Sequence, residues 1–195
     1  MKKRYGTYLP ALVLTALLSG GCGMTDSTKD SGYISFPYAQ DVPPQQETPG
    51  VQVVFESHDI QGNTVSSDIF SDSKLTMVNV WATYCNPCLQ EMPGLGEMAA
   101  EYSTGEFRII GIISDVAEWD PQGVKDYAAE LIAQTGADYT HLVLNKSLYT
   151  ALLTDVSAVP TTFFIDENGI VLKTVVGSME KSAWEEIINE LLEEM

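Results

Sequence analysis

Basic residues are scarce. The chain carries 10 Lys and Arg against 27 Asp and Glu, for a formal net charge of −17. A surface of that sign repels phosphate backbones, which excludes nucleic acid as the natural partner. Histidine is scarcer still, with only two, His58 and His141, far apart in the sequence. There are three cysteines, Cys22, Cys85 and Cys88, and no second C-x-x-C. A structural zinc site normally needs four ligands, so neither a metal nor a metal cofactor is expected. No apolar run reaches the roughly 20 residues that a membrane-spanning helix requires. Internal repeats are absent. What remains, 195 residues with 45% hydrophobic content, is enough for one domain with a real core and additional segments.

The N-terminal segment reads as an export signal. Lys2, Lys3 and Arg4 form a positive start, and Tyr8 to Leu18 is a short apolar stretch, too brief to be a stable span. Leu18-Ser19-Gly20-Gly21-Cys22 resembles a bacterial lipobox, with Ser19 where that motif has Leu. The resemblance implies cleavage before Cys22 and a diacylglycerol on its sulfur, which would anchor the protein to the membrane. The alternative is a plainly cleaved signal that leaves a free thiol. From Gly23 to Gly50 the chain is rich in Ser, Thr, Asp, Gln and Pro and has no period, as in an extended tether. The expected organisation is therefore a signal over 1–21, a lipidated Cys22 and tether over 22–50, and a folded domain over 51–195.

Within 51–195 the hydrophobic periods alternate. Val51, Val53 and Phe55 recur at a period of two, as in a half-buried strand, and after the turn at Gln61-Gly62-Asn63 the pair Thr64-Val65 returns as a second short strand. Leu75 to Trp81 is a mostly apolar run, fitting a strand buried on both faces. Cys88, Met92, Leu95, Met98 and Tyr102 then recur at helical spacing, with a kink expected at Pro93. Phe107 to Ile113 reads as another buried strand. Asp120-Pro121 reads as an N-cap followed by a first helical proline, opening a helix lined by Val124, Tyr127, Ala128, Leu131 and Ile132. A strand at His141 to Leu144 and a short helix at Ser147 to Leu153 follow. Thr161–Ile165 and Ile170–Val176 form a hairpin about Asp166-Glu167-Asn168-Gly169. The last helix opens on a Ser182/Glu185 capping box and buries Trp184, Ile187, Ile188, Leu191 and Leu192. The expected fold is α/β, a mixed sheet covered by helices on both faces, with an added N-terminal β-hairpin.

Cys85-Asn86-Pro87-Cys88 stands between a buried strand and a helix. At a helix start the free N–H groups and the helix dipole favour an anion, which lowers a thiol's pKa from its free value of about 8.5. Cys85 precedes the helix and is expected to be the exposed, attacking sulfur. Cys88, one turn in, is expected to be more buried and to resolve the mixed disulfide. Pro87 suits the first helical turn because it has no N–H to satisfy. A purely structural disulfide is the bland alternative, though so short a loop constrains little of the unfolded chain.

The run Val78-Asn79-Val80-Trp81-Ala82-Thr83-Tyr84-Cys85-Asn86-Pro87-Cys88 with Glu91-Met92-Pro93 resembles the TlpA/ResA group of membrane-tethered, thioredoxin-like thiol–disulfide oxidoreductases. So does Val159-Pro160-Thr161-Thr162-Phe163-Phe164-Ile165-Asp166. The resemblance implies a thioredoxin-like fold, a cis peptide bond before Pro160, and a backbone at Val159 with which an incoming peptide pairs as an added strand. It places Trp81 beside the site, where core packing is an equal explanation. It also implies that Glu91, one turn beyond Cys88, disfavours a nearby thiolate; a solvated helix residue is the alternative. Tyr84 stands where the group usually has Trp. The activity implied is two-electron reduction of disulfides in envelope proteins such as apocytochrome c, with electrons from a membrane thiol donor and no cofactor. A thiol peroxidase of related fold would carry a Thr three residues before its reactive cysteine. Ala82 precedes Cys85 and Cys85 itself precedes Cys88 at that spacing, so neither cysteine has one. A non-catalytic binding lipoprotein would lack a cysteine or the proline, and both are present.

Overall fold

A computed structural model describes residues 50–195. The expected export signal, Cys22 and residues 23–49 of the expected tether lie outside the described residues. The elements in chain order are β1 (Glu56–His58), β2 (Thr64–Ser66), β3 (Leu75–Trp81), α1 (Asn86–Glu101), β4 (Phe107–Ala117), α2 (Gln122–Thr135), β5 (Thr140–Leu144), α3 (Lys146–Leu148, continuing as a π turn over Tyr149–Leu153), β6 (Thr161–Asp166), β7 (Val171–Val176) and α4 (Lys181–Glu194). A 3-10 segment, Ser67–Asp72, follows β2.

Every residue of β3 is buried, which is why its sequence is a nearly continuous apolar run. It lies at the centre of a five-stranded sheet of order β5-β4-β3-β6-β7. β4 runs parallel to β3 and β6 antiparallel to it, with β7 antiparallel to β6. Side chains of β3 alternate between two cores. Leu75 and Met77 pack with Leu95 and Met98 of α1 and with Trp184 and Ile188 of α4. Trp81 packs with Met92 of α1 and with Ala128 and Leu131 of α2. Val78 and Val80 point the other way, toward Val53, Phe55, Phe70 and the α3 residues Leu148, Leu152 and Leu153. Helices therefore cover both faces, and β1–β2 is the added N-terminal hairpin.

The strand bounds and helix caps depart from the sequence reading in several details, among them β4, which runs on to Ala117. Val53 and Phe55 do turn inward, at 6% and 4% exposure, while Val51 and Val54 are exposed. They are not a strand, however. Val53 N–H donates to Gly169 O of the β6–β7 turn, and hairpin pairing begins only at Glu56↔Ser66. Asp120 does not cap α2: its carboxylate accepts the Ala117 N–H at 2.8 Å, and Pro121 stands at the cap with no side-chain hydrogen bond. Val124 and Tyr127 are correspondingly exposed, leaving Ala128 and Leu131 as the buried residues of α2. At α4 the Ser182/Glu185 box is not formed, because the helix begins at Lys181, whose ammonium bridges Glu97 and Glu101 of α1. α1 runs through Pro93 as one helix.

Candidate active site

The sheet register builds the site. Val80 of β3 pairs with Thr161 of β6, so the chain leaving β3 and the chain entering β6 meet at one edge. A turn in which Cys85 N–H donates to Ala82 O at 3.0 Å carries Cys85 to the N-cap of α1, with Asn86 and Pro87 in the first turn. Cys85 and Cys88 are joined by a disulfide with S–S 2.03 Å. Cys85 is not exposed as expected: it is buried at 6%, because the turn folds it against Val159, and Cys88 is fully buried. The Cys85 sulfur accepts the Cys88 N–H at 3.3 Å and lies 3.7 Å from Val159 O. The Val159–Pro160 peptide bond is cis. When the pair is reduced, negative charge on Cys85 meets a backbone donor and the positive end of a helix; Cys88, beneath it, is shielded from solvent. Tyr84, strongly exposed, walls a cleft of about 250 Å³ with Tyr149, Leu153, Val156 and Val159.

Glu91 is buried, not solvated. It is 7% exposed, and its carboxylate accepts Asn79 Nδ2–H at 2.9 Å and Met179 N–H at 3.1 Å. The Trp184 indole N–H approaches it without completing a hydrogen bond. Burial pushes the Glu91 pKa up, against the opposing pull of those donors. Asn79 also donates to Thr162 Oγ1 at 3.1 Å, tying the acid to β6. Three residues before the cysteine turn begins, the central strand thus supplies the partner that holds an acid one helical turn beyond Cys88.

Trp81 is fully buried and its indole N–H donates to His141 Nδ1 at 3.1 Å. An indole nitrogen can only donate, so His141 Nδ1 carries no proton. Its Nε2–H donates to Ala137 O at 2.9 Å, and Tyr139 stacks on the ring at 4.4 Å. His141 is therefore a neutral imidazole that anchors Trp81. From the sequence either histidine reads as a surface or strand residue; His141 is in a strand and buried, and nothing in the local pattern points sixty positions back to its partner. Among the described residues no group of three His, Cys, Asp or Glu could hold a metal ion, and no helix is long and apolar enough to cross a membrane.

Comparison with known proteins follows the same lines. The chain is 30% identical over 145 residues to the thiol-disulfide oxidoreductase ResA of Oceanobacillus iheyensis, covering 73% of this chain and 70% of that protein. A crystal structure of a thiol:disulfide interchange protein DsbE from Chlorobium tepidum superposes with TM-score 0.59 at 28% identity, over 74% of this chain and 97% of that one. That of the pneumococcal exposed lipoprotein thioredoxin from Streptococcus pneumoniae superposes with TM-score 0.58 at 25% identity, over 70% and 98%. The family model described as Redoxin matches residues 43–192. With a thioredoxin-like sheet and a Cys-x-x-Cys disulfide at its edge, the chain belongs to the redoxin family, as a TlpA/ResA-like thiol–disulfide oxidoreductase.

Proposed function

We propose that this oxidoreductase works outside the cytoplasm, held to the membrane through a lipid on Cys22, and reduces disulfides in envelope proteins. The observation that supports it most is the asymmetry of the two sulfurs: Cys85 at the helix cap against Val159 O, Cys88 fully buried beneath. The Cys85 thiolate attacks one sulfur of a substrate disulfide. That S–S bond breaks, a mixed disulfide forms, and the departing substrate thiolate takes a proton. Cys88 then gives up its proton and attacks the Cys85 sulfur, closing Cys85–Cys88 and releasing the second substrate thiol. A membrane thiol donor returns two electrons and two protons to regenerate the dithiol. The substrate strand pairs along Val159, which the cis Pro160 follows directly.

Glu91 sets the direction. Its carboxylate, one helical turn from Cys88, opposes a thiolate there and so withholds the stabilisation of the reduced form that makes strong oxidants. Glu91→Gln is expected to move the thiolate titration to lower pH. The names of the ResA and DsbE relatives favour thiol–disulfide exchange, the TlpA/ResA resemblance favours a reductive role such as apocytochrome c maturation, and the lipobox with the lipoprotein relative favours the anchor. The test is trapping. A Cys88→Ser variant should accumulate a mixed disulfide between Cys85 and its substrate, and the wild-type protein should reduce insulin. Accumulation with Cys85→Ser instead would reverse the assignment of the two sulfurs, and no insulin reduction would remove the reductase reading.

A further inference from the structure

β4 outruns its neighbours at the site. Its last partner on β3 is Ile113, opposite Trp81. On the other side Ile113 pairs with Val143 and the next β5 residue, Leu144, pairs with Ala117. Ser114, Asp115 and Val116 therefore form a bulge, three residues on β4 with no counterpart on β5. Bulges bend a strand and re-aim its side chains. This one turns two polar side chains onto the chain leaving β3. Ser114 Oγ–H donates to Trp81 O at 3.0 Å. The Asp115 carboxylate accepts Thr83 N–H at 3.0 and 3.1 Å and Thr83 Oγ1–H at 2.5 Å. Side chains thus take over the ladder where the backbone pairing stops. They hold Thr83 within the four-residue turn that closes from Cys85 N–H to Ala82 O.

We infer that Asp115 is a positioning residue for thiol–disulfide exchange: through Thr83 it fixes the Ala82–Cys85 turn, so that the Cys85 sulfur sits on the Cys88 N–H and against Val159 O. Its charge cannot be the contribution. A carboxylate near Cys85 disfavours the thiolate, so electrostatics alone would make Asp115 a hindrance. What it supplies is geometry, three donor contacts from one residue of the turn. The other ionisable side chains on the elements around Cys85 are Cys88, Glu91, Glu97 and Glu101 on α1, Tyr84 in the turn and Tyr149 across the cleft, while residues 156–160 contribute none. All of these stay in place in the variants below. The inference rests on Cys85 being the attacking thiol.

The experiment is iodoacetamide alkylation of the reduced full-length protein across a pH series, with the modified cysteine identified by peptide mass. Asp115→Ala, Thr83→Val, Thr83→Ser and the Asp115→Ala/Thr83→Val pair are compared with wild type, and circular dichroism establishes that each is folded. Thr83→Val keeps the volume and the charge of the site. It should raise the pH midpoint of Cys85 alkylation and slow the reaction at neutral pH about threefold to tenfold, the range one hydrogen bond supports. Thr83→Ser, which keeps the hydroxyl, should behave as wild type. Asp115→Ala should also raise the midpoint, opposite to the direction that removing a negative charge would give. The double variant should be no slower than Asp115→Ala, because loss of the carboxylate already removes the one contact that Thr83→Val breaks. A midpoint that is unchanged or lowered in folded Asp115→Ala and Thr83→Val overturns the inference. Wild-type alkylation that begins at Cys88 overturns the underlying assignment of Cys85 instead, and the peptide masses tell the two failures apart.

Discussion

Acidification should unlock the anchor of Trp81. His141 is 1% exposed, accepts from Trp81 at Nδ1 and donates to Ala137 O from Nε2. A second proton would place an N–H against the indole N–H and leave a cation buried under Tyr139. Burial accordingly pushes the His141 pKa down from 6.5 to about 4, with the Ala137 carbonyl and the Asp138 carboxylate opposing it. In the unfolded chain the imidazole takes its proton near 6.5, whereas in the folded chain it does so only near 4. The stability this residue contributes is therefore complete above pH 6.5 and lost as pH falls toward 4. At about 1.4 kcal/mol per pH unit the loss amounts to about 3 kcal/mol. Urea unfolding of the oxidised protein at intervals from pH 7 to pH 4 measures it, against His141→Gln, which keeps a donor for Ala137 O but does not titrate. The many surface carboxylates cancel in the difference. Wild type should lose about 3 kcal/mol more than the variant, with the divergence starting below pH 6.5. Parallel curves would mean that folded His141 takes its proton without penalty, and the neutral tautomer would be wrong.

Glu91 carries the opposite sign. Burial raises its pKa above the ordinary 4.5, so its contribution is present below that pH and lost as pH rises through the folded value. The thermal stability of Glu91→Gln relative to wild type should therefore improve as pH rises from 4.5 through the folded pKa of Glu91; a difference that is constant from pH 4.5 upward would contradict it. Gly96→Ala should destabilise by about 2 kcal/mol in urea, because a Cβ there would lie 2.1 Å from Gly136 O and 2.9 Å from Gly136 C, backbone atoms that cannot turn away. An unchanged unfolding midpoint would show that α1 and the end of α2 can separate freely. Asn145→Ala should lower stability by about 1 kcal/mol or more, since Asn145 Oδ1 caps α3 at Leu148 N–H while its Nδ2 ties down Glu56 O and Glu118 Oε1. Calorimetry checks that loss.

What was legible in the sequence followed from strong local signals. The seven buried residues of β3, the apolar face of α1 and the turn at Gly169 (φ 78°) are each written in a few consecutive positions. The inward face of Val53 and Phe55 was legible too, but the backbone partner of Val53 is the β6–β7 turn, more than a hundred residues away, while Phe55 O accepts Ser67 N–H. β4 was read as ending at Ile113 because Ser114 and Asp115 interrupt its apolar run. They are polar because they bond to the turn beside them, and a bulge is a property of pairing that one strand does not display. The helix caps differ for other reasons: Asp120 turns back to Ala117 N–H, three residues earlier, and α4 begins before Ser182, at Lys181, which bridges to α1. At the site, the two cysteines and Pro160 were visible as motifs. The burial of Glu91 was not, since a carboxylate at that helical position is buried only because Asn79 and Met179 arrive from other elements.

The central claim is that Cys85 and Cys88 form a reversible dithiol couple poised to reduce. Its most direct test is the midpoint potential of that couple, measured by equilibrating the protein in glutathione or dithiothreitol buffers and counting free thiols by mass. A buried acid that disfavours the thiolate places the potential below about −200 mV, on the thioredoxin side of the known range. A value near about −120 mV, that of strong oxidants, would contradict the account and make the protein an oxidant of thiols.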